Sequence, residues 1–113
     1  MYKKSVRLSS NKISQYKDVV SYNGNDYPKS YFLTLWQEFD LEELNKHEHF
    51  LLEQNIGEYS KIIFDREYLL ELERVDVVKK ANGQIWQYKL SLKEGERLYI
   101  EAFTKLYVRV KND

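Results

Sequence analysis

Apolar positions along the chain fall into blocks of different period. Phe32, Leu35, Trp36 and Phe39 stand at i, i+3, i+4 and i+7, which predicts an amphipathic helix over residues 30–39, with Tyr31 and Leu33 beside the stripe. Pro28 just upstream suits a helix entrance. Asp40-Leu41-Glu42-Glu43 has the form of a capping box, so it closes that helix and opens a second over residues 41–54, with Leu41, Leu44, Leu51 and Leu52 inward. Asn55-Ile56-Gly57 breaks it, and a third helix is expected from near residues 58–60 to 74, carried by Phe64, Tyr68, Leu72 and Val75. Residues 75–80 and 85–90 then read as two strands, and Leu98, Ala102 and Leu106 restart the helical period.

Asn82-Gly83 between those strands is a strong hairpin signal, because both residues tolerate the positive φ of a type I′ turn. With these two as the turn, Ala81 faces Gln84, Trp86 falls opposite Lys79, Val77 opposite Tyr88, and Val75 opposite Leu90. The apolar members share one face, and Asp76 meets Lys89 on the other.

The N-terminal part is less patterned. Residues 1–15 carry only Val6, Leu8 and Ile13 as scattered apolar positions, and read as a loose arm or a short strand. Residues 16–22 have strand-forming composition, and Asn23-Gly24 follows as a second hairpin signal. Pro28 limits the return segment, so an extended loop competes with that hairpin. Residues 1–29 are therefore set apart as a basic arm or hairpin, and residues 30–113 as the main domain.

The length of 113 residues is that of one domain, and 42% apolar residues suffice for a core. Cysteine is absent, which excludes disulfides, thiol catalysis and cysteine zinc sites and suits a reducing cytoplasm. No apolar run reaches the roughly 18 residues of a membrane span, and the N-terminus does not resemble a signal peptide. The net charge of zero conceals a pattern. Residues 1–29 hold six basic and two acidic side chains, residues 30–74 four and eleven, and residues 75–113 eight and five. Solvated helix faces explain this, and so do two basic ends that share one surface. Rich Lys, Asn, Tyr and Ile usage fits an AT-rich bacterium or its phages.

Three helices, a hairpin and a last helix follow the order of a winged helix-turn-helix domain. The run Leu69-Leu70-Glu71-Leu72-Glu73-Arg74-Val75-Asp76-Val77-Val78-Lys79-Lys80 resembles the recognition-helix end and first wing strand of PadR- and MarR-like regulators. Leu90-Ser91-Leu92-Lys93-Glu94-Gly95-Glu96-Arg97-Leu98 resembles their entry to the following helix. Asp76 stands where those regulators usually have Gly. The resemblance implies an α+β winged-helix-like fold with a basic N-terminal extension, and a regulatory protein that is not an enzyme. Duplex DNA is then expected at Lys3, Lys4 and Arg7 of the arm, at Lys61 and Arg66 of the third helix, and at Lys79, Lys80, Trp86 and Lys89 of the wing. Residues 60–74 carry three basic and four acidic side chains, a poor balance for a groove-reading helix. Tyr99, Phe103 and Tyr107 form a second apolar line on the last helix and are the expected homodimer surface. The alternative is a protein-binding module or inhibitor, phage-encoded or bacterial, that presents the acidic surface of residues 38–58 to a protein partner.

Other chemistry has little support. His47 and His49, two apart on a helix, face opposite ways and cannot share a metal. No phosphate loop, nucleophile elbow or zinc pattern occurs, and no cofactor is implied. Tyr2, Tyr16, Tyr22 and Tyr27 in the basic arm could stack on single strands, but most of the ten tyrosines read as core or half-buried.

Overall fold

A computed structural model describes residues 1–19 and 30–110. The order is β1 (Tyr2–Arg7), α1 (Ser10–Val19), α2 (Ser30–Leu33), a 3-10 turn (Thr34–Glu38), α3 (Glu42–Asn45), β2 (His49–Glu58), β3 (Glu67–Lys80), β4 (Gly83–Glu94) and β5 (Arg97–Val108). The strands form one antiparallel sheet in the order β1-β3-β4-β5-β2. This corrects the winged-helix expectation, because residues 67–80 and 97–108 are strands and no recognition helix exists among the described residues. Residues 46–58 are not helical either: α3 stops at Asn45 and β2 begins at His49.

Spacing explains the error. A separation of four lies on one face of a helix and also on one face of a strand. Tyr68 and Leu72, or Leu98, Ala102 and Leu106, fit both periods. The intervening positions decide. Tyr68, Leu70 and Leu72 are buried on β3, and Ile100, Ala102, Thr104, Leu106 and Val108 on β5, which is period two. On β4, Trp86, Tyr88, Leu90 and Leu92 complete the same face.

The 30–39 stripe does form helix, as α2 and the 3-10 turn, and buries Phe32 and Leu35. These residues, with Ile13 of α1 and Leu41 and Leu44 around α3, share one apolar cluster with the buried sheet face. Trp36 meets the Tyr88 ring edge-on at 5.2 Å, and the Tyr88 hydroxyl donates to Glu43 Oε1 at 3.2 Å. The helical segment thus lies along one side of the sheet. Register shifts leave an extra residue at Leu52, Val75 and Tyr99, one in each of three strands, and bulges of this kind bend the strands that carry them.

The hairpin falls where the sequence places it, with a shifted register. Lys80 pairs with Gly83, so Ala81-Asn82 are the turn residues, and Val77 faces Trp86. The bulge at Val75 then pairs Arg74 with Tyr88 and Leu72 with Leu90. Neither Asn82 nor Gly83 has positive φ. Gly83 is required for another reason: a Cβ there would lie 2.5 Å from the Val108 carbonyl oxygen.

β1 pairs with β3 along its length, so the basic N-terminal stretch begins with a strand of the same sheet. Residues 16–19 are helical in α1, and the Asn23-Gly24 hairpin signal lies outside the described residues. Asp65, with φ 63°, turns the chain into β3. Its amide donates to Leu8 O at 2.7 Å, and its Oδ1 accepts the Ser10 amide at 3.1 Å, which ties this turn to the end of β1.

Candidate functional site

β2 is an edge strand. One side pairs with β5, and among the described residues no strand pairs with the other. Its side chains are mostly exposed, with Phe50, Leu51 and Leu52 at 46%, 57% and 52%. Ten residues of open, apolar-rich edge are a template for another chain.

A groove opens beside this edge. Its floor is built from the sheet: Leu51 pairs with Leu106 and Gln54 with Thr104 across β2 and β5. Its opposite wall is helical, from Leu33 of α2, Trp36 of the 3-10 turn and Leu44 of α3. His49, at the start of β2, completes the lining, and the volume is about 230 Å³. That is below the ~300–1,000 Å³ usual for small-molecule sites.

The groove is an apolar trough with a few polar groups. Gln54 Nε2 donates to Thr104 Oγ1 at a long 3.5 Å, and Thr104 is buried. His49 Nδ1 lies 3.0 Å from the His47 carbonyl oxygen. A carbonyl only accepts, so Nδ1 carries the proton, and in the neutral ring Nε2 keeps its lone pair. No carboxylate lines the groove. Trp36 Nε1 is buried without a hydrogen-bond partner among the described residues.

Tyr88 lies just inside, between Trp36 and Glu43. Burial, then the Glu43 charge and hydrogen bond, push its hydroxyl well above the usual tyrosine range. It is held as a neutral hydroxyl that donates to Glu43. A larger hollow of about 780 Å³ lies by the other sheet edge, walled by β1, α1, α2 and the 3-10 turn through Arg7, Lys12, Tyr16, Tyr31 and Glu38. It adjoins the helix ends that flank residues 20–29, which are outside the described set.

The residues expected to touch nucleic acid do not gather. Lys3, Lys4 and Arg7 are on β1, where Lys4 pairs with Glu38 at 2.9 Å. Lys61 and Arg66 are in the loop before β3, and Arg66 pairs with Glu94. Lys79 and Lys80 are at the far end of β3. Arg7 pairs with Glu67, thirteen residues from Lys80, or roughly 40 Å of strand. Lys89 pairs in register with Glu73 and Phe103. Trp86 is buried, with the Arg74 guanidinium 4.6 Å from its ring centroid, so it is not offered to a base. The proposed dimer line lies on a strand: Tyr99 is buried against the Tyr68 ring at 5.1 Å, and only Phe103 and Tyr107 are half-buried. The acidic residues 38–58 are divided between the 3-10 turn, α3 and β2 and form no helical face.

Sequence reasoning put Trp36, Leu44 and Leu51 on inward stripes and set His49 aside, but missed Gln54 and Thr104. One signal was present. Leu98, Ile100, Ala102, Thr104, Leu106 and Val108 stand at every second position, and Thr104 is the single polar member of that set.

No family model matches the chain, and none of the curated proteins matches it. Solved structures do. The chain is similar to the truncated HadBC complex of Mycobacterium tuberculosis, a 3R-hydroxyacyl-ACP dehydratase, at TM-score 0.75 and 11% identity, over 94% of this chain and 91% of that one. It is similar to HtdX of the same organism at TM-score 0.75 and 13% identity, with all of this chain spanning 50% of that one. It is also similar to YbaW, a probable thioesterase of Escherichia coli, at TM-score 0.63 and 9% identity, over 98% and 85% of the two chains. The first is a dehydratase and the last a probable thioesterase, not DNA-binding regulators. With the recognition helix absent, the transcription-regulator reading falls, and the acidic-surface binding module finds no support. The five-stranded antiparallel sheet beside a helical segment is the hotdog fold.

Proposed function

We propose that this chain is a hotdog unit that holds a thioester-linked acyl group in the groove beside β2, and that it acts in an enzyme completed by a second hotdog unit along that edge. One observation carries the reading: the groove opens onto the sheet's unpaired, apolar edge. A partner strand there would add the missing wall to a hollow that is small by itself. Leu33, Leu44, Leu51 and Leu106 suit a hydrocarbon chain. The dehydratase and thioesterase structures of like fold support the thioester class.

The lining favours elimination or addition of water over a self-contained hydrolytic site. Removing water from a 3-hydroxyacyl thioester needs a base for the C2 proton and an acid for the leaving hydroxyl. His49 is the single titratable side chain of the lining, with Nε2 available as acceptor. It supplies one of the two roles, and the second comes from the unit across β2.

Calorimetry of the full chain with hexanoyl-CoA, against CoA alone, tests the binding step. The acyl ligand is expected to bind more tightly, and Leu106→Glu to remove the difference. Equal affinities for the two ligands would sink the reading. Hydration of crotonyl-CoA then tests the reaction: His49→Gln lowers any activity about 100-fold or more, the usual scale of acid–base catalysis.

A further inference from the structure

The hollow by β1 has no part in the acyl reading. At about 780 Å³ it falls within the ~300–1,000 Å³ of small-molecule sites, which the groove beside β2 does not. Local structure brings its lining together. Lys12 and Tyr16 stand four apart on α1, Tyr31 and Leu35 four apart across α2 and the 3-10 turn, and Arg7 ends β1.

The lining is graded. Val6 and Leu35 are buried and apolar, Tyr16 and Tyr31 half-buried, and Arg7 and Lys12 exposed. The two tyrosine rings lie 5.3 Å apart and are tilted by 58°, so they border the hollow as an aromatic wall without stacking on each other. Burial, then the Glu38 charge, raise the Tyr31 pKa, which keeps its hydroxyl a neutral donor. Gln15 adds a side chain that both donates and accepts.

The cations of this lining are uncommitted. Its one carboxylate, Glu38, already pairs with Lys4 at 2.9 Å. Arg7 and Lys12 form no ion pair with a described residue. Asp65 lies within electrostatic reach of Arg7, but its Oδ1 accepts the Ser10 amide at 3.1 Å. A guanidinium and an ammonium at one mouth suit a phosphate, which takes charge-assisted hydrogen bonds from both. Inorganic phosphate alone would leave the tyrosine wall unfilled, and a fatty acid would leave Gln15 and the Tyr31 hydroxyl unpaired. A flat ring with a hydrogen-bonding edge, joined to a phosphate, uses the whole lining.

We propose that this hollow is a second ligand site, which takes a nucleoside monophosphate with its base against Tyr16 and Tyr31 and its phosphate on Arg7 and Lys12. The site is independent of the acyl-thioester reading of the groove.

Calorimetry of the full chain with AMP, GMP, CMP and UMP, their nucleosides and inorganic phosphate tests it. At least one nucleotide should bind about tenfold or more tightly than its nucleoside and than inorganic phosphate, the scale of one charge-assisted hydrogen bond. Arg7→Glu and Lys12→Glu should each weaken that nucleotide by a similar factor, and Lys12→Arg should retain it. In wild-type chain labelled on its tyrosine rings, the Tyr16 and Tyr31 signals should shift on titration while that of Tyr107, on β5, stays in place. This measurement does not depend on the charge variants folding. The proposal is overturned if no nucleotide binds at millimolar concentration, or if nucleoside or inorganic phosphate binds as tightly as the nucleotide. Binding that leaves Tyr16 and Tyr31 unmoved, or that both glutamate variants leave unchanged, overturns it equally.

Discussion

At the residue scale, Tyr88 shows how burial and chemistry are coupled. It sits fully buried on β4, edge-on to Trp36, with its hydroxyl donated to Glu43. Burial and the nearby carboxylate raise its folded pKa above the unfolded value of about 10. The protonated form is the one the fold favours. Its stabilising share is therefore complete below pH ~10 and declines as pH rises from there through the folded pKa. Alkaline unfolding should be steeper for wild type than for Tyr88→Phe, which removes the ionisable group. At neutral pH the same variant should lose about 1 kcal/mol with its hydrogen bond. Equal alkaline slopes in urea titrations would show that Tyr88 does not carry this pH dependence. Gly83 makes a different point. Its Cβ would meet backbone at 2.5 Å, and backbone of a paired strand cannot move aside cheaply. Gly83→Ala should cost roughly 1–3 kcal/mol, the range for overpacking. Thermal denaturation checks this, and an unchanged midpoint would mean that the β4–β5 pairing yields.

At the scale of elements, the sequence was legible where its period was unambiguous. The 3- and 4-residue steps of Phe32, Leu35, Trp36 and Phe39 fit a helix alone, and a helix and 3-10 turn form there. The β3–β4 hairpin was legible in its strands and its turn region. Its register was not, because Gly83 serves close approach to β5 and the extra residue at Val75 cannot be seen locally. The other helices failed because steps of four suit either element, and the alternation between them decides. β2 was the hardest case. Its Leu52 bulge puts two leucines in succession, which breaks the alternation that marks a strand. The groove was hidden for the same reason, since half its floor comes from β2 and the Gln54–Thr104 contact spans 50 positions. The edge itself is testable. Leu51→Lys places a charge on the open strand, a device that natural edges use against pairing. In sedimentation the wild-type chain should associate and Leu51→Lys should run as a monomer. Identical behaviour of the two would remove β2 as an interface.

At the scale of the molecule, the protomer is more extended than its length requires. Its radius of gyration is 15.5 Å, against about 13 Å for a compact domain near this size. Two strands carry clustered apolar surface outward: β2, with Phe50, Leu51 and Leu52, and β3 at its end, with Val75, Val77 and Val78 at about 41% exposure. β2 borders the groove, so a second chain paired along it would link association to ligand binding. A second chain that binds only the folded protomer raises its stability by mass action, and so does a ligand of the completed groove. The melting midpoint of the wild-type chain should therefore climb as protein concentration is raised. Hexanoyl-CoA should raise it further, more at high protein concentration than at low. Leu51→Lys should make the midpoint independent of protein concentration and blunt the response to hexanoyl-CoA. A ligand response equally large in that variant would show that one protomer forms the whole site, and the second wall assigned to a partner would be unnecessary.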